Sequence, residues 1–180
     1  LMKATRDLDK KSGDLNTKIT LKSSADFTDL KTITKKYPEA AKKAHLLALG
    51  AVAEELELAL GIAMESKDWG TPDWPYGDGD IVQTGRLRDS LELRVTEEGI
   101  AIMYSAINPS DGFDYAAMVY FGGYIQPYGN PYVKVYMPGR PWIKGVLLGG
   151  GPVDKFDFTG TYKTFFEKYM IQQAGDVEDK

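Results

Sequence analysis

The residues best suited to chemistry crowd into one short stretch, Trp69-Gly-Thr-Pro-Asp-Trp-Pro-Tyr-Gly-Asp-Gly-Asp80. Asp73, Asp78 and Asp80 are oxygen donors of the kind Ca²⁺ prefers, but the calcium-loop spacing is incomplete, with no glutamate at the twelfth position. Trp69, Trp74 and Tyr76 could instead form an aromatic platform for a sugar ring. The composition is that of a loop, and plain loop packing stands beside both readings. His45 is the only histidine. It has no histidine partner for a metal site, and a Ser–His–Asp arrangement would have to use it from a surface of alanines and leucines, so a structural role is favoured.

No phosphate-binding G-x-x-x-x-G-K-[ST], dinucleotide G-x-G-x-x-G, H-E-x-x-H or G-x-S-x-G pattern is present. The 26 acidic residues offer many carboxylate pairs, and nothing selects one of them for glycoside chemistry. With no cysteine, disulfides and thiolate zinc sites are excluded. The expectation is a protein without catalytic residues, metal or cofactor.

The elements that would hold these residues follow from periodicity. Lys18 to Lys22 alternates as a short strand, and Phe27, Leu30 and Ile33 suggest a brief helix or loop. Tyr37-Pro38 opens the longest element, a helix to about Lys67, since proline is tolerated in a first helical turn. Leu49, Val52, Leu56, Ala59, Leu60 and Ala63 form its stripe, widened by Leu46, Ala53 and Met64. So wide a stripe suggests burial on more than one side.

Thr84 can cap a short helix in which Leu87 and Leu91 stand one above the other. The period then changes to two: Leu93 and Val95 share one face, and Glu92, Arg94 and Thr96 the other. Gly99 is read as the positive-φ residue of a tight turn that returns Ile100, Ile102 and Tyr104 antiparallel. Asn108 to Gly112 reads as a turn. Phe113, Ala116, Ala117 and Tyr120 have helical spacing, and Gly122-Gly123 is a natural stop. Tyr132 to Met137 alternates as a strand, Gly139 turns the chain, and Pro141 starts a helix from Trp142 to Leu148. Tyr162, Phe165, Phe166, Tyr169 and Met170 make a final amphipathic stripe. The fold expected is α+β: a small, mostly antiparallel twisted sheet against one long helix, with short helices at the sheet ends.

Three segments in this order resemble a known family. Thr84, Gly85, Arg86, Leu87, Arg88 and Ser90 match a "T-G-R-L-R-x-S" helix start. Tyr115, Ala116, Phe121 and Gly122 match "Y-A-x-x-x-x-F-G". Arg140, Pro141, Trp142 and Ile143 match "R-P-[FW]-[IL]". The pattern is similar to that of tail-completion and head–tail joining proteins of long-tailed bacteriophages, the minor capsid or virion-morphogenesis group.

The resemblance implies a structural ring subunit at the virion neck, hexameric by analogy. It would lie between the portal or connector side and the tail tube or terminator, with DNA only passing through the ring. It would be made in the host cytoplasm and end in the virion. Residues 149–160 look like an insertion relative to the family pattern. A tail terminator or head-closure protein is the alternative within phages. A carbohydrate-binding module using the Trp69–Tyr76 loop is the alternative outside them. Ala53, Ala117 and Tyr120 are the candidate subunit interface.

A chain of 180 residues, 43% hydrophobic and 27% charged, suits one domain with a real core. No apolar run approaches the roughly 18 residues needed to span a bilayer, so neither a membrane anchor nor a signal peptide is expected. Charge is uneven: residues 1–43 balance to +5 and residues 44–180 to −9. Residues 1–13 are read as a mobile basic arm, able to meet a subunit, a partner or nucleic acid, and 175–180 as a mobile tail.

Overall fold

Pro38 supplies the first turn of the long helix, where its missing N–H is no loss, and from there α1 runs Pro38–Glu65. The computed structural model describes residues 15–20, 34–66, 85–108, 112–126 and 132–178. The remaining elements are β1 (Leu15–Thr20), α2 (Arg86–Asp89), β2 (Leu91–Thr96), β3 (Gly99–Tyr104), α3 (Ala116–Phe121), β4 (Gly122–Ile125), β5 (Val135–Pro138), α4 (Trp142–Leu148) and α5 (Phe158–Glu178). The architecture is α+β, with one long helix packed on small antiparallel sheets.

The first sheet has the order β1-β3-β2, all antiparallel. Leu91, Leu93 and Val95 stand opposite Tyr104, Ile102 and Ile100. These cross-strand pairs give the sheet one apolar face. Glu92, Arg94 and Thr96 are exposed, as the period of two requires. The turn differs in detail from the sequence reading. Thr96 pairs with Gly99, so Glu97 and Glu98 form the turn, and Gly99 carries its positive φ of 146° as the first residue of β3.

The apolar face meets α1 through Leu49, Val52, Leu56, Leu60, Ala63 and Met64, all essentially inaccessible. Leu46 departs from the expected stripe, being 37% exposed. The stripe instead extends toward the N-terminus through Ala40, Ala44 and Ala48, and α5 lays Phe166 and Met170 against Ala44 and Ala48. Tyr162, Phe165 and Tyr169 are half-buried around them, so the C-terminal stripe is core.

Helix α5 also starts earlier than its stripe suggests. Asp157 accepts a hydrogen bond from the Gly160 backbone N–H at 3.1 Å, an N-cap three residues ahead. Its backbone stays helical to Glu178, past the expected fraying point at Gly175. Residues 149–157 are not idle: Val153 and Phe156 pack on the main core, and the Phe156 N–H donates to the Val146 carbonyl. Gly149 ends α4 with a φ of 80°. Residues 1–13, the Phe27–Ile33 segment, the Trp69–Asp80 loop and Thr84 lie outside the described residues.

Candidate assembly surface

The segments "Y-A-x-x-x-x-F-G" and "G-R-P-W" meet at a single backbone crossing. Gly122 ends α3 with a φ of 77°, where an L side chain would be strained. A Cβ on Gly122 would stand 2.5 Å from the Gly139 nitrogen, and one on Gly139 would stand 2.4 Å from the Phe121 carbonyl carbon. Neither position has room for any other residue. The Arg140 N–H donates to the Val119 carbonyl at 3.0 Å, which ties β5 to the last turn of α3.

From that crossing α4 drives Trp142 into the core. Its side chain is fully buried, with Tyr104 of β3 edge-on at 5.4 Å and Tyr120 of α3 edge-on at 5.1 Å. Such edge-to-face contacts suit the aromatic quadrupole. Burial pushes the Tyr104 hydroxyl pKa far up. The nearby Trp142 indole N–H partly offsets this, although neither polar atom has a partner with full hydrogen-bond geometry.

The first segment joins the same core from the other side. Leu87 of α2 is 2% exposed and belongs to the cluster that holds Ala116 and Trp142. Gly85, with a φ of 71°, occupies the cap position of α2, and no side chain caps it. Ser90 donates its hydroxyl to the Leu87 carbonyl at 2.8 Å. Arg88 bridges Glu65 of α1 at 3.4 Å and Asp89 at 3.2 Å, and both carboxylates raise its pKa. Arg86 is exposed.

Helix α3 is shorter than the spacing of its apolar residues implies. Phe113 is 49% exposed and precedes the helix. Asp114 explains the delay: its carboxylate accepts from the backbone N–H of Ala106 at 3.1 Å and of Ala116 at 2.9 Å. One oxygen thus fixes the helix start and anchors it to the end of β3. An acid two residues before an apolar run is a recognisable cap signal, and the sequence reading passed over it. Tyr115 is half-buried and Ala116 fully buried.

The proposed interface residues divide. Ala53 is 7% exposed and sits inside the chain's own core, while Ala117 and Tyr120 are half-buried. One exposed apolar surface lies on the second sheet. Across β4 and β5, Tyr124 and Tyr136 are directly paired, their rings 5.3 Å apart, and 69% and 54% exposed. Phe121 and Tyr132 are exposed as well. Beside the Tyr124–Tyr136 pair opens a groove of about 650 Å³ lined by Phe113, Tyr115, Met118, Tyr124, Gln126 and Lys134 with Asn108.

His45 proves to be a joint between three elements. Its Nδ1 lies 2.7 Å from the Tyr162 hydroxyl on α5, and its Nε2 lies 3.0 Å from the Glu97 carbonyl in the hairpin turn. A carbonyl only accepts, so Nε2 carries a proton and donates to Glu97. Lys42 reinforces the joint with a 2.8 Å ion pair to the Glu97 carboxylate, which raises the lysine pKa and lowers that of the glutamate. Burial lifts the Tyr162 hydroxyl to about 12.

No family model, curated protein or solved structure matches this chain. Among the described residues, no three His, Cys, Asp or Glu side chains gather as a metal site, and no helix is long and apolar enough to cross a membrane.

Proposed function

We propose that this chain is a ring-forming neck subunit of a long-tailed bacteriophage, a tail-completion protein that joins the head side to the tail. The observation that supports it is the convergence of the three motif segments. They are far apart in sequence, yet Leu87, Ala116 and Trp142 share one core, and Gly122 and Gly139 meet where two of the segments cross. Residues that fit only each other at such a crossing behave as a set, not as three separate short words.

In this reading the mechanism is adhesive. The buried motif residues hold the β4–β5 pair rigidly, and its exposed aromatics supply contact area of the kind enriched in interface cores. Repeated head-to-tail contacts between subunits would close a ring. The ring would then present docking faces to connector and tail proteins.

The experiment is complementation of a phage lacking the gene, with negative-stain imaging of virions and of the purified protein. The expected result is incorporation at the neck and rings with a central channel, both lost in Tyr124→Ser/Tyr136→Ser. Tailed virions that assemble normally without the protein would overturn the reading.

A further inference from the structure

Among the described residues, helix α1 buries one face in the core and leaves a second apolar face exposed. Leu47, Leu58 and Ile62 are 45%, 65% and 63% exposed. At about 100° per residue they share one stripe with Gly50, Ala51 and Gly61. Lys43 and Glu65 close its two ends, and Glu54 marks its middle.

The stripe is written twice. Leu47-Ala-Leu-Gly-Ala51 recurs as Leu58-Ala-Leu-Gly-Ile62, eleven residues on. Eleven residues are almost three whole turns, so the two units lie in line along the helix. In each unit the inner leucine, Leu49 or Leu60, is fully buried in the chain's own core, and the outer leucine faces away. Among the described residues, nothing stands within 4 Å of a Cβ built on Gly50 or Gly61. The chain's own packing therefore does not require glycine there, although each glycine costs the helix about 1 kcal/mol relative to alanine. Beside Gly61 lies an open groove of about 420 Å³, lined by Leu58, Ile62, Met64 and Leu91 and by the charged Glu57, Glu65, Arg88 and Asp89.

We infer that this face pairs with the α1 helix of a second copy, antiparallel, about a two-fold axis beside Glu54. A two-fold interface must be self-complementary, residue i meeting j and j meeting i. In this register Leu47 lies over the partner's Gly61 and Leu58 over the partner's Gly50, each leucine filling a glycine notch. Lys43 meets the partner's Glu65 at both ends, where each Glu65 is shared with the Arg88 that bridges it within its own chain. A parallel pair in register would instead set leucine on leucine, Lys43 on the partner's Lys43 and Glu65 on the partner's Glu65. Charge and shape thus select the antiparallel form, whose one like-charge contact is Glu54 with the partner's Glu54 at the axis. The pairing closes at two copies, so it stands apart from the neck reading and leaves the β4–β5 aromatics for other contacts.

The chain has no cysteine, so single cysteines report the register directly. Glu54→Cys would bring two thiols together at the axis, within the roughly 4.4–6.8 Å between Cα atoms that a disulfide needs. Leu47→Cys would hold them about 21 Å apart along the axis. The full-length protein should sediment as a dimer, and mild oxidation should link Glu54→Cys at least about tenfold faster than Leu47→Cys. A mixture of Leu47→Cys and Gly61→Cys should cross-link in the heterodimer. Gly61→Leu should raise the dimer Kd about tenfold or more without lowering the melting temperature of the monomer. A wild-type monomer at the highest soluble concentration would overturn the inference. So would linkage at position 54 no faster than at position 47, or a Gly61→Leu dimer of unchanged affinity.

Discussion

In the β1-β3-β2 sheet, Leu91, Leu93 and Val95 face Tyr104, Ile102 and Ile100 and lie under α1. In the β4–β5 pair, Tyr124 faces Tyr136 and both look into solvent. Both arrangements are cross-strand pairing, but they are held in place differently. The larger sheet is stabilised by what its side chains bury. The smaller one is located by its backbone, through the Gly122–Gly139 crossing and the Arg140 N–H to Val119 bond. Two strands alone are marginal in water, so the crossing explains how a short hairpin can display large aromatics without support from them.

Substitutions can break that contrast at graded cost. Trp142→Ala removes the side chain shared by the sheet core and α3, and should cost about 3–5 kcal/mol in urea denaturation. Gly139→Ala should cost about 1–3 kcal/mol or more, because its Cβ strikes backbone that cannot rotate away. Solvent-induced loss of the near-ultraviolet tyrosine signal should shift with it. If Gly139→Ala were as stable as wild type, the crossing would not be what locates the second sheet.

Tyr162→Phe should cost about 1 kcal/mol near neutral pH by removing the hydroxyl that bonds His45. Alkali sharpens this test. The unfolded chain ionises Tyr162 near pH 10, while the folded chain keeps it protonated up to about 12. Its contribution is therefore fully present below pH 10 and lost as pH rises toward about 12. Denaturant midpoints between pH 9 and 11 should fall less steeply in Tyr162→Phe than in wild type. The smallest effect is predicted for Tyr124→Ser/Tyr136→Ser, each within about 0.5 kcal/mol of wild-type folding stability. A large loss of stability would move these tyrosines from display to support.

How much of this was legible depended on whether the signal was a period or a meeting. The β2–β3 hairpin and the α1 stripe follow from spacings of two and of three to four, and those periods survive folding because each element buries one face. Ala44 and Ala48 carried little signal, since alanine is at home inside or outside and only Phe166 and Met170 decide it. Phe113 had helical spacing with Ala116 and Tyr120, but the Asp114 carboxylate started the helix later than periodicity suggested. Gly122 and Gly139 were readable as turns. That each excludes a side chain because of the other is a fact of three dimensions. Ala53, 7% exposed within the chain's own core, shows that a wide stripe reveals apolar faces of α1 without revealing which residue faces where.

The imidazole of His45 touches α1, α5 and the β2–β3 turn at once, and it is the only imidazole in 180 residues. Its Cε1 proton will therefore give a single histidine signal by magnetic resonance, needing no assignment by mutagenesis. Any ligand, partner or change of conditions that separates the hairpin from the helices will shift or broaden that line. A structural joint thus doubles as a built-in spectroscopic gauge of whether the three elements remain docked.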